Sequence, residues 1–233
     1  MSAEAQKRAV GEAAAALVED GMTVGLGTGS TAAFLVAALG ARVAAEGLSL
    51  RCVATSRETE GLAAQHRLTL LDLNDAGDID LTLDGADEIG PDLALIKGGG
   101  AALLREKLVW EASRRCVVIG DAGKRVAQLG AFPLPIEVVA FGHVTTARRL
   151  HTALQSCGIA SEPRLRIRGG EAVRTDGGNL LYDVASVAIT NPAALAHALK
   201  SLTGVVEHGL FLGLACEALI GTPDGVQRIE LNA

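Results

Sequence analysis

Thr23-Val24-Gly25-Leu26-Gly27-Thr28-Gly29-Ser30-Thr31 opens on four residues that read as a short buried strand, turns through glycines, and enters an apolar helix reaching about residue 42. Before it, Ser2 is placed to cap a helix over about 3–20, with Val10, Ala14, Leu17 and Val18 on one face and Gly21 as its stop. After it the strand–loop–helix order recurs. Residues 50–54 read as a strand, Thr55-Ser56 as a loop, 57–66 as a helix and 68–71 as a further strand. Residues 79–83 run into Asp84-Gly85-Ala86-Asp87-Glu88, and 93–96 lead to Lys97-Gly98-Gly99-Gly100 and a helix from Ala101. Residues 116–120 precede Asp121-Ala122-Gly123-Lys124. Short apolar strands alternating with helices predict an α/β fold, a Rossmann-like and mostly parallel sheet covered on both faces. Ligands of such sheets bind beyond the carboxyl ends of the strands. Five loops, GTGST, TS, DGADE, KGGG and DAGK, are therefore expected along one edge of one sheet.

From Phe132-Pro133-Leu134-Pro135 the character changes. Residues 136–140 are strand-like and 145–157 helical. Two strand-like runs, 172–175 and 180–184, flank Asp176-Gly177-Gly178-Asn179, a hairpin signal. Asn191-Pro192 caps and opens a helix to about residue 202. A small α+β domain over 130–207 is expected, inserted in a Rossmann-like catalytic domain formed by 1–129 and 208–233.

The 233 residues are 49% hydrophobic and 21% charged, enough apolar material for a large core. Aromatics make up only 3%, so a pocket would be walled by backbone, small residues and charges. The net charge of −6 argues against nucleic acid as partner, because binding its phosphates requires a basic footprint. A small phosphorylated ligand needs only a few lysines and backbone N–H groups. No run reaches the roughly 18 to 20 apolar residues of a membrane span. The first ten residues mix acids and bases with no apolar core, unlike a secretory signal, so a cytoplasmic location is expected. Cys52, Cys116, Cys157 and Cys216 form no CxxC pair, and the five histidines form no HxH or HExxH pattern. Neither a metal nor a Cys/His nucleophile is expected.

Thr28, Gly29, Ser30 and Thr31 have the makings of a phosphate site, with glycines for close approach and hydroxyls beside a helix start. The same residues would also suit a tight turn. Asp84 and Asp87 are paired carboxylates where a strand ends; they either split their pKa values for proton transfer or bond their own turn. Lys97, leaving an apolar strand before three glycines, could hold its ammonium over a developing negative charge. On the helix from Ala101 the apolar positions are Ala101, Leu104, Leu108 and Ala112, and periodicity turns Arg105-Glu106-Lys107 toward solvent. Lys124 follows a strand and otherwise reads as a surface lysine.

Nine segments in order, GLGTGSTA, TSRETE, LDGADEI, IKGGGAALLREK, GDAGKRV, FPLPIEV, DGGNLLYDV, GVVEHGLF and IGTPDGV, closely resemble those of the A-type ribose-5-phosphate isomerases. The resemblance implies a metal-free, cofactor-free isomerase of ribose 5-phosphate and ribulose 5-phosphate, acting as a homodimer or homotetramer. It makes Glu106 the general base, against the helical periodicity, and Asp84, Asp87 and Lys97 its polar catalytic companions. It also implies substrate contacts from Thr28, Gly29, Ser30 and Thr31, from Asp84, Gly85, Ala86 and Asp87, and from Lys97, Gly98, Gly99, Gly100 and Lys124. Gly123 departs from the family pattern, which often carries a hydroxyl residue before the lysine. An amino-sugar-phosphate deaminase or an acyl-CoA transferase would lack KGGGAAL–REK, and a non-catalytic sensor would lose the acid–base residues while keeping the phosphate loop.

Overall fold

In the computed structural model, which describes residues 1–186 and 188–231, the chain begins with α1 (Ala3–Ala15), β1 (Thr23–Leu26), α2 (Ser30–Glu46), β2 (Arg51–Ala54) and α3 (Arg57–Gln65). There follow β3 (Leu81–Gly85), β4 (Glu88–Ile89), β5 (Leu95–Ile96), α4 (Leu103–Glu111), β6 (Cys116–Asp121), β7 (Leu134–Val138) and α5 (His143–Ser156). The remainder comprises β8 (Arg164–Leu165), β9 (Ile167–Arg168), β10 (Glu171–Ala172), β11 (Leu180–Val184) and α6 (Pro192–Lys200). The chain closes with β12 (Val205–His208), β13 (Leu210–Phe211), β14 (Glu217–Thr222) and β15 (Gly225–Glu230).

Ser2 caps α1 by accepting the Ala5 N–H at 3.2 Å. The helix ends earlier than the expected residue 20. Leu17 and Val18 bond three residues back instead of four, and Arg42 donates to the carbonyls of Ala15 and Val18. These contacts satisfy the free carbonyls of a helix C-terminus.

Two compact units divide the chain: one takes Met1–Ala86, Arg105–Arg125 and Gly213 onward, the other Asp87–Leu104 and Val126–Leu212. The expected boundaries, 1–129 with 208–233 against 130–207, lie elsewhere. Residues 87–104 join the second unit because β4 and β5 pair there with each other and with β13.

The first unit holds a six-stranded sheet in the order β15-β14-β6-β3-β1-β2, parallel except for the β14–β15 hairpin. Strand alternation sends Val24, Leu26, Leu83, Val117 and Ile119 into one core with Val10, Leu35 and Leu39 of α1 and α2. Val53 packs on the opposite side with Ile79 and Val109. Burial of apolar area on both faces, at about 25 cal/mol per Å², is what favours the near-continuous apolar strands read from the sequence. The chain leaves β1 for β2 on one side and returns as β3 on the other, so the topological switch point lies between β1 and β3. In open α/β sheets that crevice is where ligands bind.

In the second unit the four-stranded antiparallel sheet β12-β7-β11-β8 packs Ile136, Val138, Tyr182 and Val184 against Leu150 and Leu154 of α5 and Leu195 and Leu199 of α6. Asn191 caps α6, accepting the Ala194 N–H at 3.0 Å.

Three local expectations are corrected. Residues 68–71 form no sheet strand; Leu70 makes one isolated bridge, with Cys52. The 172–175 run meets β11 only at the Arg174–Leu180 bridge, while β11 pairs with β7 and β8, and β10 with β9. The DGGN turn spends its polar groups inward: Thr175 and Asn179 both donate to the buried Glu137 carboxylate, whose pKa burial raises. Finally, KGGG follows β5 of the three-stranded sheet β13-β5-β4, so only four of the five loops end strands of the parallel sheet. Among the described residues no helix is long and apolar enough to cross a membrane.

Candidate active site

At the switch point the Gly27 N–H bonds Leu83 O at 3.0 Å, carrying the β1–β3 ladder one residue past β1. Asp84 lies directly across. Its carboxylate is fully buried and accepts the N–H groups of Thr28 at 3.0 Å and Gly85 at 2.7 Å on one oxygen, and the Trp110 indole N–H at 3.2 Å on the other. Asp84 thereby ties the DGA segment to the GTGST turn. Gly27 is required by close approach: a Cβ there would lie 2.0 Å from Asp84 Oδ1 and 2.5 Å from Asp84 Cα. Gly27→Ala is accordingly expected to cost about 1–3 kcal/mol, the usual range for overpacking. A thermal melt read beside turnover checks it; an unshifted melting temperature with full activity would contradict this account.

The hydroxyls around the turn form a relay. Thr28 donates to Ser56 at 2.8 Å, Ser56 to Thr59 at 3.0 Å, and Thr59 to the Gly27 carbonyl at 2.9 Å. Thr55 joins at 2.8 Å from the Thr28 oxygen. The Thr28 hydroxyl thus rigidifies the turn, uniting the GTGST and TS loops. Gly29, at φ 105°, is the non-helical residue before α2, a backbone that favours glycine. The amides of Ser30 and Thr31 then open a 17-residue helix, the usual setting for an anion. Lys7 of α1 donates to Ser30 Oγ at 3.0 Å, bringing a positive charge to the turn. Sequence reading missed Lys7, since a basic residue in a helix beside Arg8 looks like a solvated one.

Helix α4 inverts its expected faces. Glu106 and Lys107 are 5% and 7% exposed, whereas Leu108, assigned to the apolar face, is 46% exposed. Leu103, Glu106, Lys107 and Trp110 share the buried stripe at i, i+3, i+4 and i+7. Arg105 pairs with Glu60 of α3 and reaches the Ala54 carbonyl. Glu106 and Trp110 stand one turn apart on one face, and Trp110 holds Asp84. A buried carboxylate is costly unless it is partnered or used, which separates Glu106 from ordinary helix-surface glutamates.

In the second unit Lys97 is 2% exposed. Its backbone N–H bonds Gly209 O at 2.9 Å, and its ammonium lies 5.4 Å from the centroid of the Phe211 ring. A cation over an aromatic face is held electrostatically. Gly98 takes φ 105°, and the next N–H, from Gly99, donates to Asp87 Oδ2 at 2.7 Å. Asp87 and the glycine loop are thus joined as Asp84 and Thr28 are in the first unit.

Lys124, half-buried, closes the short turn after β6, where Asp121 accepts the Gly123 N–H at 3.0 Å. Gly100 is exposed and Ala86 half-buried. Burial pushes the Cys52 and Cys116 thiols up to about 12, so neither is a thiolate at neutral pH. Among the described residues no group of three or more His, Cys, Asp or Glu could hold a metal ion.

Residues 51–225 match the family model described as ribose 5-phosphate isomerase A (phosphoriboisomerase A). The ribose-5-phosphate isomerase A of Caulobacter vibrioides is 62% identical over 236 residues, covering 99% of this chain and all of that protein. That of Bacillus mycoides is 48% identical, with 95% and 98% covered. Among solved structures, the ribose 5-phosphate isomerase of Plasmodium falciparum superposes with a TM-score of 0.93 at 34% identity, covering 99% of this chain and all of that one. A D-ribose-5-phosphate isomerase in complex with phospho-erythronic acid superposes at 0.92 and 33%, with 99% and 100% covered. The family model spans most of the chain and these relatives match it over nearly their whole length, so the chain belongs to the ribose 5-phosphate isomerase A family.

Proposed function

We propose a mechanism for the interconversion of D-ribose 5-phosphate and D-ribulose 5-phosphate, the pentose phosphate pathway reaction that this chain carries out as a member of its family. The observation that carries it is the burial of Glu106 on the inward stripe of α4. The furanose opens first: Asp87 takes the proton of the anomeric hydroxyl and passes it to the ring oxygen as the bond between C1 and that oxygen breaks, giving the open aldehyde. Both oxygens of Asp84 already accept N–H groups, which fits a holding role for Asp84 and leaves the proton to Asp87. Glu106 then removes the proton from C2, forming a cis-enediolate, and returns it to C1 while the hydroxyl proton passes from O2 to O1. Lys97 stabilises the oxygen that carries the charge as the carbonyl moves from C1 to C2. The phosphate is held by the helix start at Ser30 and Thr31, with Lys7 and Lys124 supplying charge, which keeps the open chain in register. Gly85, Ala86 and Gly98 to Gly100 bring backbone rather than side chains to the sugar. Phospho-erythronic acid, bound by a relative, carries a carboxylate where the enediolate would carry its oxygens, in keeping with this scheme.

The net charge of −6 supports a small-molecule partner over nucleic acid or a membrane. The family resemblance also carries the proposal of a cytoplasmic homodimer or homotetramer. The test is turnover of ribose 5-phosphate in D₂O after chelator treatment. Full activity with deuterium at C1 of the ketose is expected. Activity lost to the chelator, restored by a divalent metal and accompanied by no deuterium uptake would replace the enediolate by a hydride shift.

A further inference from the structure

Three successive glycines bring no side chain to anchor the loop after Lys97, so whatever fixes it must grip the backbone. Arg166, the residue between β8 and β9, does this. Its own N–H bonds Leu181 O at 2.8 Å, and its side chain is 12% exposed. The guanidinium forks onto Asp183 of β11, Nε to Oδ2 at 2.8 Å and Nη2 to Oδ1 at 2.5 Å. Nη1 donates instead to the carbonyls of Gly98 at 2.9 Å and Gly99 at 3.2 Å. In a trans peptide the carbonyl and the following N–H point opposite ways. The Gly98 carbonyl and the Gly99 N–H belong to one such peptide, and that N–H donates to Asp87. A single peptide plane is therefore held on its oxygen by Arg166 and on its N–H by Asp87. A bidentate guanidinium–carboxylate fork is the strong, directional form of this pairing.

We propose that Arg166, itself oriented by Asp183, is a positioning residue for the isomerisation, fixing the Gly98–Gly99 peptide and through it the carboxylate of Asp87. The inference rests on the reading of Asp87 as the group that opens the ring. Arg166→Ala is expected to lower kcat by about 10²-fold, the scale set by small misplacements of reacting groups, with a smaller change in KM. A cavity of about 280 Å³ lined by Gly99, Phe132, Arg166 and Asp183, among others, gives a small cation access to the vacated place. Millimolar guanidinium, far below denaturing levels, should restore a measurable part of kcat to Arg166→Ala, an effect that general loosening of the fold would not produce. Asp87→Asn should lose kcat by itself, and adding Arg166→Ala to it should cost little more. Should Arg166→Ala fail to fold, the same cycle is run with Arg166→Lys, which keeps the charge and loses the fork. Wild-type kcat in the Arg166 variant, or losses that multiply in the double variant, would overturn the proposal and leave Asp87 untouched. Wild-type turnover in Asp87→Asn would remove the Asp87 reading itself.

Discussion

Glu106→Gln is expected to lower kcat by about 10²–10⁴-fold, the span that one positioned general base contributes, while KM changes by only a few fold. The amide keeps the shape and the helix propensity of the carboxylate but cannot take a proton from carbon. Its position makes the substitution clean. Glu106 is 5% exposed on the stripe that also buries Leu103 and Trp110, so the variant replaces one buried polar group by another of the same size. Trp110 is the sole tryptophan and bonds Asp84, so its fluorescence reports whether the neighbouring packing survives. Steady-state turnover of ribose 5-phosphate, with Trp110 emission as control, is the measurement. Near-wild-type kcat would transfer the role of base to another residue and return Glu106 to a structural part.

The second large effect belongs to Lys97. Lys97→Met keeps an apolar stem of nearly the same length and removes the ammonium with its charge and N–H donors. A drop of about 10²–10³-fold in kcat is expected, the loss seen when one preorganised donor to a developing oxyanion is removed. The backbone around it should stay in place, because the Lys97 N–H bond to Gly209 does not depend on the side chain. Gly209 has no room to adjust, since a Cβ there would lie 2.2 Å from Lys97 O. Lys97→Arg should rescue poorly: a planar fork replaces a compact ammonium in a buried place over Phe211. Binding of phospho-erythronic acid, titrated by calorimetry, separates the contributions. Weakened binding in Lys97→Met alongside retained binding in Glu106→Gln is the expected pattern. Equal turnover in Lys97→Met and the parent would show that the enediolate is stabilised elsewhere.

What could be read along the chain was local. β1 falls where the short run Thr23-Val24-Gly25-Leu26 precedes the glycine turn, and α3 begins where Ser56 can accept the Thr59 N–H. α6 begins where Asn191 and Pro192 stand together. Such signals act over a few residues, through capping bonds and the periods of strand and helix. The turn at residues 27–31 was legible for the same reason, because its glycines and hydroxyls are consecutive.

The rest was settled by residues far apart. Periodicity sent Glu106 to solvent because it scores a charge as exposed, and only packing makes the inward stripe of α4 polar. The KGGG loop was expected on the parallel sheet, but two residues of β5 carry no mark of which sheet they will join. Trp110 reaches Asp84 across 26 positions, and Arg166 reaches Gly98 across 68. By itself the sequence determined the α/β class, the strand–turn–helix at residues 23–31, and through its nine segments the family. Tertiary structure alone decided that Glu106 is buried, that Asp84 is held by three N–H groups, and that an arginine grips the glycine loop. Those are matters of desolvation and hydrogen-bond partnership, which exist only once the chain has brought distant residues together.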